Sequence, residues 1–349
     1  MKKERIAGID IIKTLAVIFV LSIHQIGMTH VLKIDLIGIR PFFIMLYRYT
    51  VMSCVPLFIM TTGYLQCKKD VSVKFYKGII PILLSYLVSS IGIAWINTKI
   101  IGDPYNMRKI IINIFNFTEN NYAWYVEMFV GLYLLIPFIN KLYHSIETRR
   151  KKQILLGILI FLTICPGFFY MFNDDFYNYN VFPDYWESMY PLTYYLLGAY
   201  FNEYKPKLNK LLSAVFVLAA MLMPTLTEVL IADGSSFNAN VFNGFNSVSA
   251  LLITVAIFVF FYDMDIKFAP CKWLVRDISV STLEIYLWSN GVEKLLYPNM
   301  PEEFPLRLFK MIVFVFIGSY ILAKIQRIIF WIVRKIIGAI NTSGKHIKE

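Results

Sequence analysis

The sequence predicts an all-α, polytopic membrane protein. Of its 349 residues, 58% are hydrophobic and only 16% are charged, and the mean hydropathy is +0.59. Soluble domains carry about 25% charged residues and are less apolar. Apolar runs close to the roughly 20 residues that a membrane-spanning helix needs recur along the whole chain.

We predict ten spans, with both termini on the cytoplasmic side. The first apolar run is too long for the core of a signal peptide and has charges inside it, so we expect it to remain as a helix. Residues 1–349 then form a single transmembrane domain without an appended soluble domain. The predicted spans are 9–28, 42–65, 78–97, 122–140, 153–171, 188–202, 209–231, 242–262, 279–297 and 308–333.

The distribution of charge supports this topology. Lys and Arg are concentrated in the segments that it places inside, whereas the outer loop 172–187 has four acidic residues and no basic one. Positive residues favour the cytoplasmic side of a bilayer. The net charge of +11 is therefore explained by the lipid bilayer, and we expect no nucleic-acid partner.

Two outer loops have a composition of their own. Loop 98–121 combines isoleucines and aromatics with asparagines, which favours a re-entrant or interfacial helix. The segment Phe172–Tyr190 is rich in Tyr and Asn; it is either an interfacial aromatic belt or a surface on which a glycan stacks. The four cysteines have neither metal nor redox spacing, so we expect no metal.

Three ionisable residues lie on one face of the first span. Lys13 and His24 are 11 residues apart, about three turns with roughly 20° left over, and Asp10 is within about 60° of both. Ionisable groups in hydrocarbon cost several kcal/mol. This face therefore forms a wall of a site entering from the cytoplasm, or else Asp10 and Lys13 lie in the headgroups and His24 bonds a neighbouring helix.

The opening segment IDIIKTLAVIFVLSIH resembles that of the acyltransferase-3 family of integral-membrane acyltransferases. The family has D-x-x-R followed by a histidine 11 residues after the arginine; Lys13 stands at the arginine position and His24 matches. VPLFIMTTGYL (Val55–Leu65) resembles the family's P-L-F-F-x-x-S-G-Y-L. Lys74-Phe-Tyr-Lys77, before a proline-containing span, replaces R-x-x-R.

Two later segments extend the resemblance over nearly the whole chain. NYAWYVEMFVGLYLLIPFI (Asn121–Ile139) is similar to H-L-W-F-x-x-x-L-x-x-Y-x-x-x-P, with Tyr122 in place of the histidine. STLEIYLWSN (Ser281–Asn290) is similar to S-T-x-G-I-Y-L-x-H, with Glu284 in place of the glycine and Ser289 in place of the histidine.

The resemblance implies a bacterial inner-membrane O-acyltransferase. Such proteins move an acyl group, usually acetyl, from cytoplasmic acyl-CoA, a co-substrate and not a tightly bound cofactor, to sugars on the far side of the membrane. The main alternative is a non-enzymatic glycan exporter or export partner with the same fold. The Lys and Ser substitutions at motif positions favour this alternative, whereas the retained His24 favours the enzyme. An ion-coupled transporter would show broken helices and symmetric halves, and neither is evident.

For the transfer chemistry, His24 is the candidate general base, since it is the only histidine deep in a predicted span. Glu127 is the candidate carboxylate that orients it, because both lie at comparable depths below the outer surface. Alternatively, Glu127 pairs with Arg48 at a similar depth.

The donor phosphates need cations on the cytoplasmic side. By resemblance these are Lys74 and Lys77, with Lys13 one helix away; alternatively Lys74 and Lys77 only set topology. Glu284 is expected to neutralise Lys13 or Lys77, a structural role that we also assign to Asp10. Candidate substrate-contacting residues are Arg48, for which pairing with Glu127 is the alternative, and Trp124, Tyr133, Ser289 and Asn290, for which packing between helices is the alternative.

Overall fold

The structure, a computed structural model, describes residues 5–28, 37–104, 106–169, 184–232, 234, 244–299 and 306–343. These residues form helices and connections without any strand, which confirms the all-α prediction. Much of the acidic, aromatic segment Phe172–Tyr190 lies outside the described residues.

The described part of the chain contains fifteen α-helices. They are α1 (Ala7–Met28), α2 (Ile39–Val51), α3 (Cys54–Gln66), α4 (Val73–Tyr76), α5 (Ile80–Ile96), α6 (Met107–Phe115), α7 (Trp124–Ser145), α8 (Arg149–Thr163), α9 (Pro166–Phe169), α10 (Tyr190–Tyr204), α11 (Lys210–Ala232), α12 (Val248–Phe261), α13 (Ala269–Val280), α14 (Thr282–Leu296) and α15 (Leu306–Ser343).

Within the described part of the chain, six helical stretches are long and apolar enough to cross a membrane. They are Ala7–Met28, Ile39–Gln66, Val73–Ile101, Trp124–Ser145, Lys210–Ile231 and Leu306–Lys335. Helices also occupy the other four predicted spans, but α8, α10, α12 and α14 have only 14 or 15 residues. The chain is thus a multi-pass membrane protein, while the count of ten and the side of the termini stay predictions.

The bundle has an inner and an outer set of helices. α10 and α12 bury most of their residues, including Tyr194, Tyr195 and Phe258. By contrast, α5, α11 and α15 expose rows of large apolar side chains, such as Leu83, Leu218 and Ile317. Apolar rows on the outside are typical of lipid-facing helices.

Apart from the single turn α4, two helices lie wholly or mostly outside the predicted spans. α6 agrees with the helix expected in loop 98–121: it buries none of its residues and exposes Met107, Ile111 and Phe115, as an interfacial helix does. α13 was not predicted. It has only 12 residues and mixes charges such as Arg276 with apolar residues, so a search for long apolar runs misses it.

Helices α3 and α10 approach each other closely at two glycines. The carbonyl of Tyr195 lies where a Cβ on Gly63 would be, and the carbonyl of Met60 lies where a Cβ on Gly198 would be. Both neighbours are backbone atoms in helices, so neither can rotate away. This contact fixes α3, which forms one wall of the site described below.

We predict that Gly63→Ala and Gly198→Ala each lower the free energy of unfolding by about 1–3 kcal/mol or more, since overpacking forces the helices apart. Thermal unfolding in detergent measures this. The control is Gly131→Ala in α7, whose added Cβ meets no atom within 4 Å and which should be neutral or slightly stabilising. Equal unfolding temperatures for all three variants would contradict the packing argument.

Candidate active site

The turn that precedes α7 is fastened to the middle of α14. Asn120 Nδ2 donates to the Leu287 carbonyl at 3.0 Å, and the Tyr286 hydroxyl donates to the Tyr122 carbonyl. Asn120 Oδ1 in turn accepts from the Tyr122 backbone N–H at 3.0 Å. These bonds satisfy polar groups inside the bundle and fix where the Tyr122 ring lies.

Tyr122 connects His24 of α1 with a carboxylate of α14. The His24 and Tyr122 rings are stacked, with centroids 3.6 Å apart and an interplanar angle of 20°. The Tyr122 hydroxyl donates to Glu293 Oε2, and Glu293 is only 1% exposed. The Tyr286 ring lies 6.2 Å from His24, so the imidazole lies among aromatic and polar side chains.

Several polar atoms in this cluster have no hydrogen-bond partner. Asn290 lies beside the Tyr122 hydroxyl and Gln25 lies against Glu293. Among the buried side-chain atoms without a hydrogen-bond partner in the described part of the chain, five lie in this cluster: His24 Nδ1, both amide atoms of Gln25, Asn290 Oδ1 and Glu293 Oε1. Leaving such an atom unpaired costs about 1–3 kcal/mol, so their concentration around one tyrosine marks a site and not ordinary packing.

A cavity of about 330 Å³ leads from the end of the bundle where α1 begins towards this cluster. Lys13, Gln66 and Glu284 line the part of the cavity nearer the start of α1. Tyr125 and Tyr286 line the part nearer the cluster. Tyr286 therefore both lines the cavity and is a neighbour of His24, with ring centroids 6.2 Å apart. Its further lining residues are Val20, Val55, Phe58, Thr61, Thr62, Leu65, Pro81, Ile82, Ser85, Val126, Phe129, Val280, Thr282 and Leu283.

Lys13 and Glu284 both line the part of the cavity nearer the start of α1. Lys13 Nζ donates to the Ser279 carbonyl at 2.6 Å, and the charge of Glu284 acts on it. Glu284 Oε1 also accepts from the Ser85 hydroxyl at 3.3 Å. Of the two partners predicted for Glu284, Lys13 lines the same cavity and Lys77 does not.

Asp10 joins the start of α1 to α13. Its carboxylate is 2.7 Å and 2.8 Å from the Arg5 guanidinium and accepts from the Ser279 hydroxyl at 2.6 Å. Lys13 bonds the carbonyl of the same residue, Ser279. Two residues on one face of α1 therefore bond one residue of α13. This is the kind of structural role that we predicted for Asp10.

The Lys74–Lys77 segment lies apart from the cavity lining. Both lysines are exposed, and Lys77 borders a shallow depression with Tyr76. Tyr133 holds this segment: its ring stacks on Phe75 at 4.5 Å and its hydroxyl donates to the Phe75 carbonyl at 2.6 Å. Tyr133 thus acts by packing, the alternative left open above.

The structure does not support Glu127 as the carboxylate that orients His24. Glu127 is exposed, whereas the adjacent Val126 is fully buried and lines the cavity. Equal depth is insufficient for contact, because one step along a helix turns a side chain by about 100°. The carboxylate in the cluster around His24 is Glu293, which lies inside the predicted span 279–297. A carboxylate within a span was the sequence signal for it.

Arg48 has a different partner from the one considered. It is 4% exposed and lies beside Tyr49 and the charge of Glu228, a fully buried residue of α11. The Tyr49 hydroxyl donates to Glu228 Oε2 at 3.0 Å. The alternative pairing with Glu127 is therefore wrong, because Arg48 faces α11 and not the exposed side of α7.

The remaining predicted residues fall into two groups. Trp124 stacks on Phe245 at 5.6 Å, and Ser289 donates to the Tyr286 carbonyl of its own helix at 2.7 Å; both contacts are typical of packing. Asn290, in contrast, is part of the cluster around Tyr122.

We predict that Asp10→Asn lowers the free energy of unfolding by about 1–3 kcal/mol, because Arg5 and Ser279 lose their charged acceptor. Equilibrium unfolding in detergent measures this. The control is Asp265→Asn, which breaks an exposed pair with Lys272 and should leave stability unchanged. If Asp10→Asn were as stable as the control, Asp10 would not fasten α1 to α13.

Comparison with known proteins agrees with the resemblance drawn from the motifs. The acyltransferase-3 family model, described as "Acyltransferase domain", matches residues 6–324. No curated protein matches significantly, and neither does any solved structure. The match covers most of the 349 residues, including all the helices that form the cavity. The chain therefore belongs to the acyltransferase-3 family and is a membrane acyltransferase, an enzyme that transfers groups other than aminoacyl groups.

Proposed function

We propose that this acyltransferase moves an acyl group, most simply acetyl, from cytoplasmic acyl-CoA to a hydroxyl of a cell-surface glycan. Its place is the bacterial inner membrane, with the start of α1 on the cytoplasmic side. Acyl-CoA is a co-substrate that arrives from the cytoplasm, and the glycan is reached from the opposite side.

The observation that supports this proposal is the cavity that runs from Lys13 to the tyrosines beside His24. The cavity has a cation, Lys13, at the end nearer the start of α1, as a phosphate-bearing donor requires. Its interior is apolar and aromatic, which suits an acyl chain and its thioester. Tyr286, which lines it, is a neighbour of His24, and His24 lies deep within α1, whereas His144 is the last residue but one of α7. A donor entering at Lys13 would therefore present its acyl carbon towards a potential base.

The transfer conserves atoms and charge as follows. His24 takes the proton from the acceptor hydroxyl as the oxygen forms a bond to the acyl carbon. The bond between the acyl carbon and sulfur breaks, and the CoA thiolate leaves. The proton then passes from the imidazolium to the thiolate, so the products are the O-acyl glycan and free CoA thiol. These steps describe direct transfer; a route through a transient acyl-enzyme would give the same overall products.

The donor's phosphates meet lysines instead of arginines in this chain. Lys13 lies at the cavity, and Lys74 and Lys77 are exposed at the same end of the bundle. A lysine neutralises phosphate as a point charge, without the bidentate geometry of arginine. Recognition of the donor headgroup should accordingly depend on charge and weaken with salt.

We predict that His24→Ala lowers kcat for acetyl-CoA turnover by about 10²–10⁴-fold, the usual contribution of a general base. The measurement is release of CoA thiol by purified protein, with and without a glycan acceptor. His144→Ala is the matched control: His144 bonds the Cys67 carbonyl away from the cavity and should keep full activity. Wild-type protein that neither hydrolyses nor transfers from acetyl-CoA would overturn the proposed function.

The acceptor class has its own measurement. Mass spectrometry of surface polysaccharide from cells with and without the gene should show O-acetyl groups that depend on the gene and on His24. Identical polysaccharide from the wild type and His24→Ala would exclude a surface glycan as acceptor while leaving the thioester chemistry in place.

We predict that Lys74→Glu with Lys77→Glu raises KM for acetyl-CoA by about 5–30-fold, the equivalent of about 1–2 kcal/mol for two exposed charge contacts, with little change in kcat. Steady-state kinetics at low salt test this. Arg150→Glu with Lys151→Glu makes the same charge change at exposed positions of α8 and should leave KM near the wild-type value. Equal effects from both pairs would mean that these lysines act only through overall charge.

A further inference from the structure

We infer that Glu293 is the positioning residue for His24: acting through Tyr122, it holds the aromatic ring against the imidazole and balances the positive charge that His24 acquires. This inference rests on the proposed function, because it assigns a role within that transfer. It concerns a carboxylate and a tyrosine for which the motif comparison suggested no role.

The connection from Glu293 to His24 has a defined geometry. The Tyr122 hydroxyl donates to Glu293 Oε2, and the same ring stacks on His24 at 3.6 Å. Gln25, the chain neighbour of His24, also lies against Glu293. Helices α1, α14 and the turn before α7 therefore meet at this one carboxylate.

Glu293 lacks a basic partner among the ion pairs of the described residues. The adjacent Lys294 is directed elsewhere, since its Nζ donates to Asn97 Oδ1 at 2.9 Å. A carboxylate that is 1% exposed in a membrane protein is costly unless a positive charge is available. His24 supplies that charge only when it has taken a proton, which is the moment at which stabilisation speeds the reaction.

Tyr122 is suited to carry this effect. A phenol that donates to a carboxylate becomes richer in electrons, and an electron-rich ring face attracts a stacked cation. The ring also restricts the rotation of His24, whose Nδ1 has no hydrogen-bond partner. Stacking thus takes the place of the direct carboxylate–imidazole bond that orients many catalytic histidines.

The chain contains a matched pair that has no such role. Tyr49 donates to the buried Glu228 as Tyr122 donates to Glu293. There, however, the carboxylate has the charge of Arg48 beside it. Tyr49→Phe therefore removes the same kind of bond as Tyr122→Phe, from a site where the structural effect alone should be seen.

The test is the kinetics of acetyl-CoA turnover by the purified full chain, with folded protein quantified by thermal unfolding. Glu293→Gln should lower kcat by about 10–100-fold, the usual effect of losing a residue that orients a functional group, with KM for acetyl-CoA unchanged. Tyr122→Phe should lower kcat by a similar factor, about 10-fold or more, because it removes the hydroxyl through which Glu293 acts while leaving a ring that can still stack on His24. Glu293→Asp should recover part of the loss, and Tyr49→Phe should leave kcat and KM unchanged.

The decisive comparison uses the His24→Ala background. There Glu293→Gln and Tyr122→Phe should cause no further loss, because residues that act as a unit are not additive. Wild-type kcat for Glu293→Gln, or an equal loss with and without His24, would overturn the inference and leave the proposed function standing. If Glu293→Gln does not fold, Tyr122→Phe in both backgrounds decides the question. A wild type without thioester turnover, in contrast, would overturn both.

Discussion

Everything at the site depends on how the turn before α7 is held against α14. A carbonyl inside a membrane protein must find a donor from the protein itself, and Asn120 and Tyr286 provide two such donors across the helix interface. Their bonds fix the height and the rotation of Tyr122. Without these bonds, His24 would lose the ring that stacks on it, and Glu293 would lose the hydroxyl that donates to it.

The fold class and the functional wall of α1 could be predicted from the sequence because both depend on short-range patterns. Apolar length and charge asymmetry identify a multi-pass protein, and the 3.6-residue period places Asp10, Lys13 and His24 on one face. The structure uses that face in two ways: Lys13 lines the cavity, while Asp10 fastens α1 to Ser279 of α13. The five ordered motifs led to the same family that the family model identifies.

The partners across helices could not be predicted, because depth along a helix says nothing about its rotation. Glu127 is at a suitable depth but on the exposed side of α7, and Arg48 meets Glu228 from a helix about 180 residues away in sequence. Glu293 could be noticed in the sequence as an acidic residue inside a predicted span. Its connection to His24, however, runs through Tyr122, which is 171 residues from Glu293 in sequence. Such pairings are decided by tertiary packing alone.

The glycine contact between α3 and α10 makes the α3 wall of the donor cavity more rigid than the α5 wall. On the α3 side, backbone lies against backbone at Gly63 and Gly198, so that wall cannot yield. By contrast, α5 contributes Pro81, Ile82 and Ser85 to the cavity and exposes Leu83, Leu84 and Leu87. Any widening that admits a bulky thioester therefore pushes α5 against lipid, and the thickness and lateral pressure of the bilayer become part of the energetics of substrate entry.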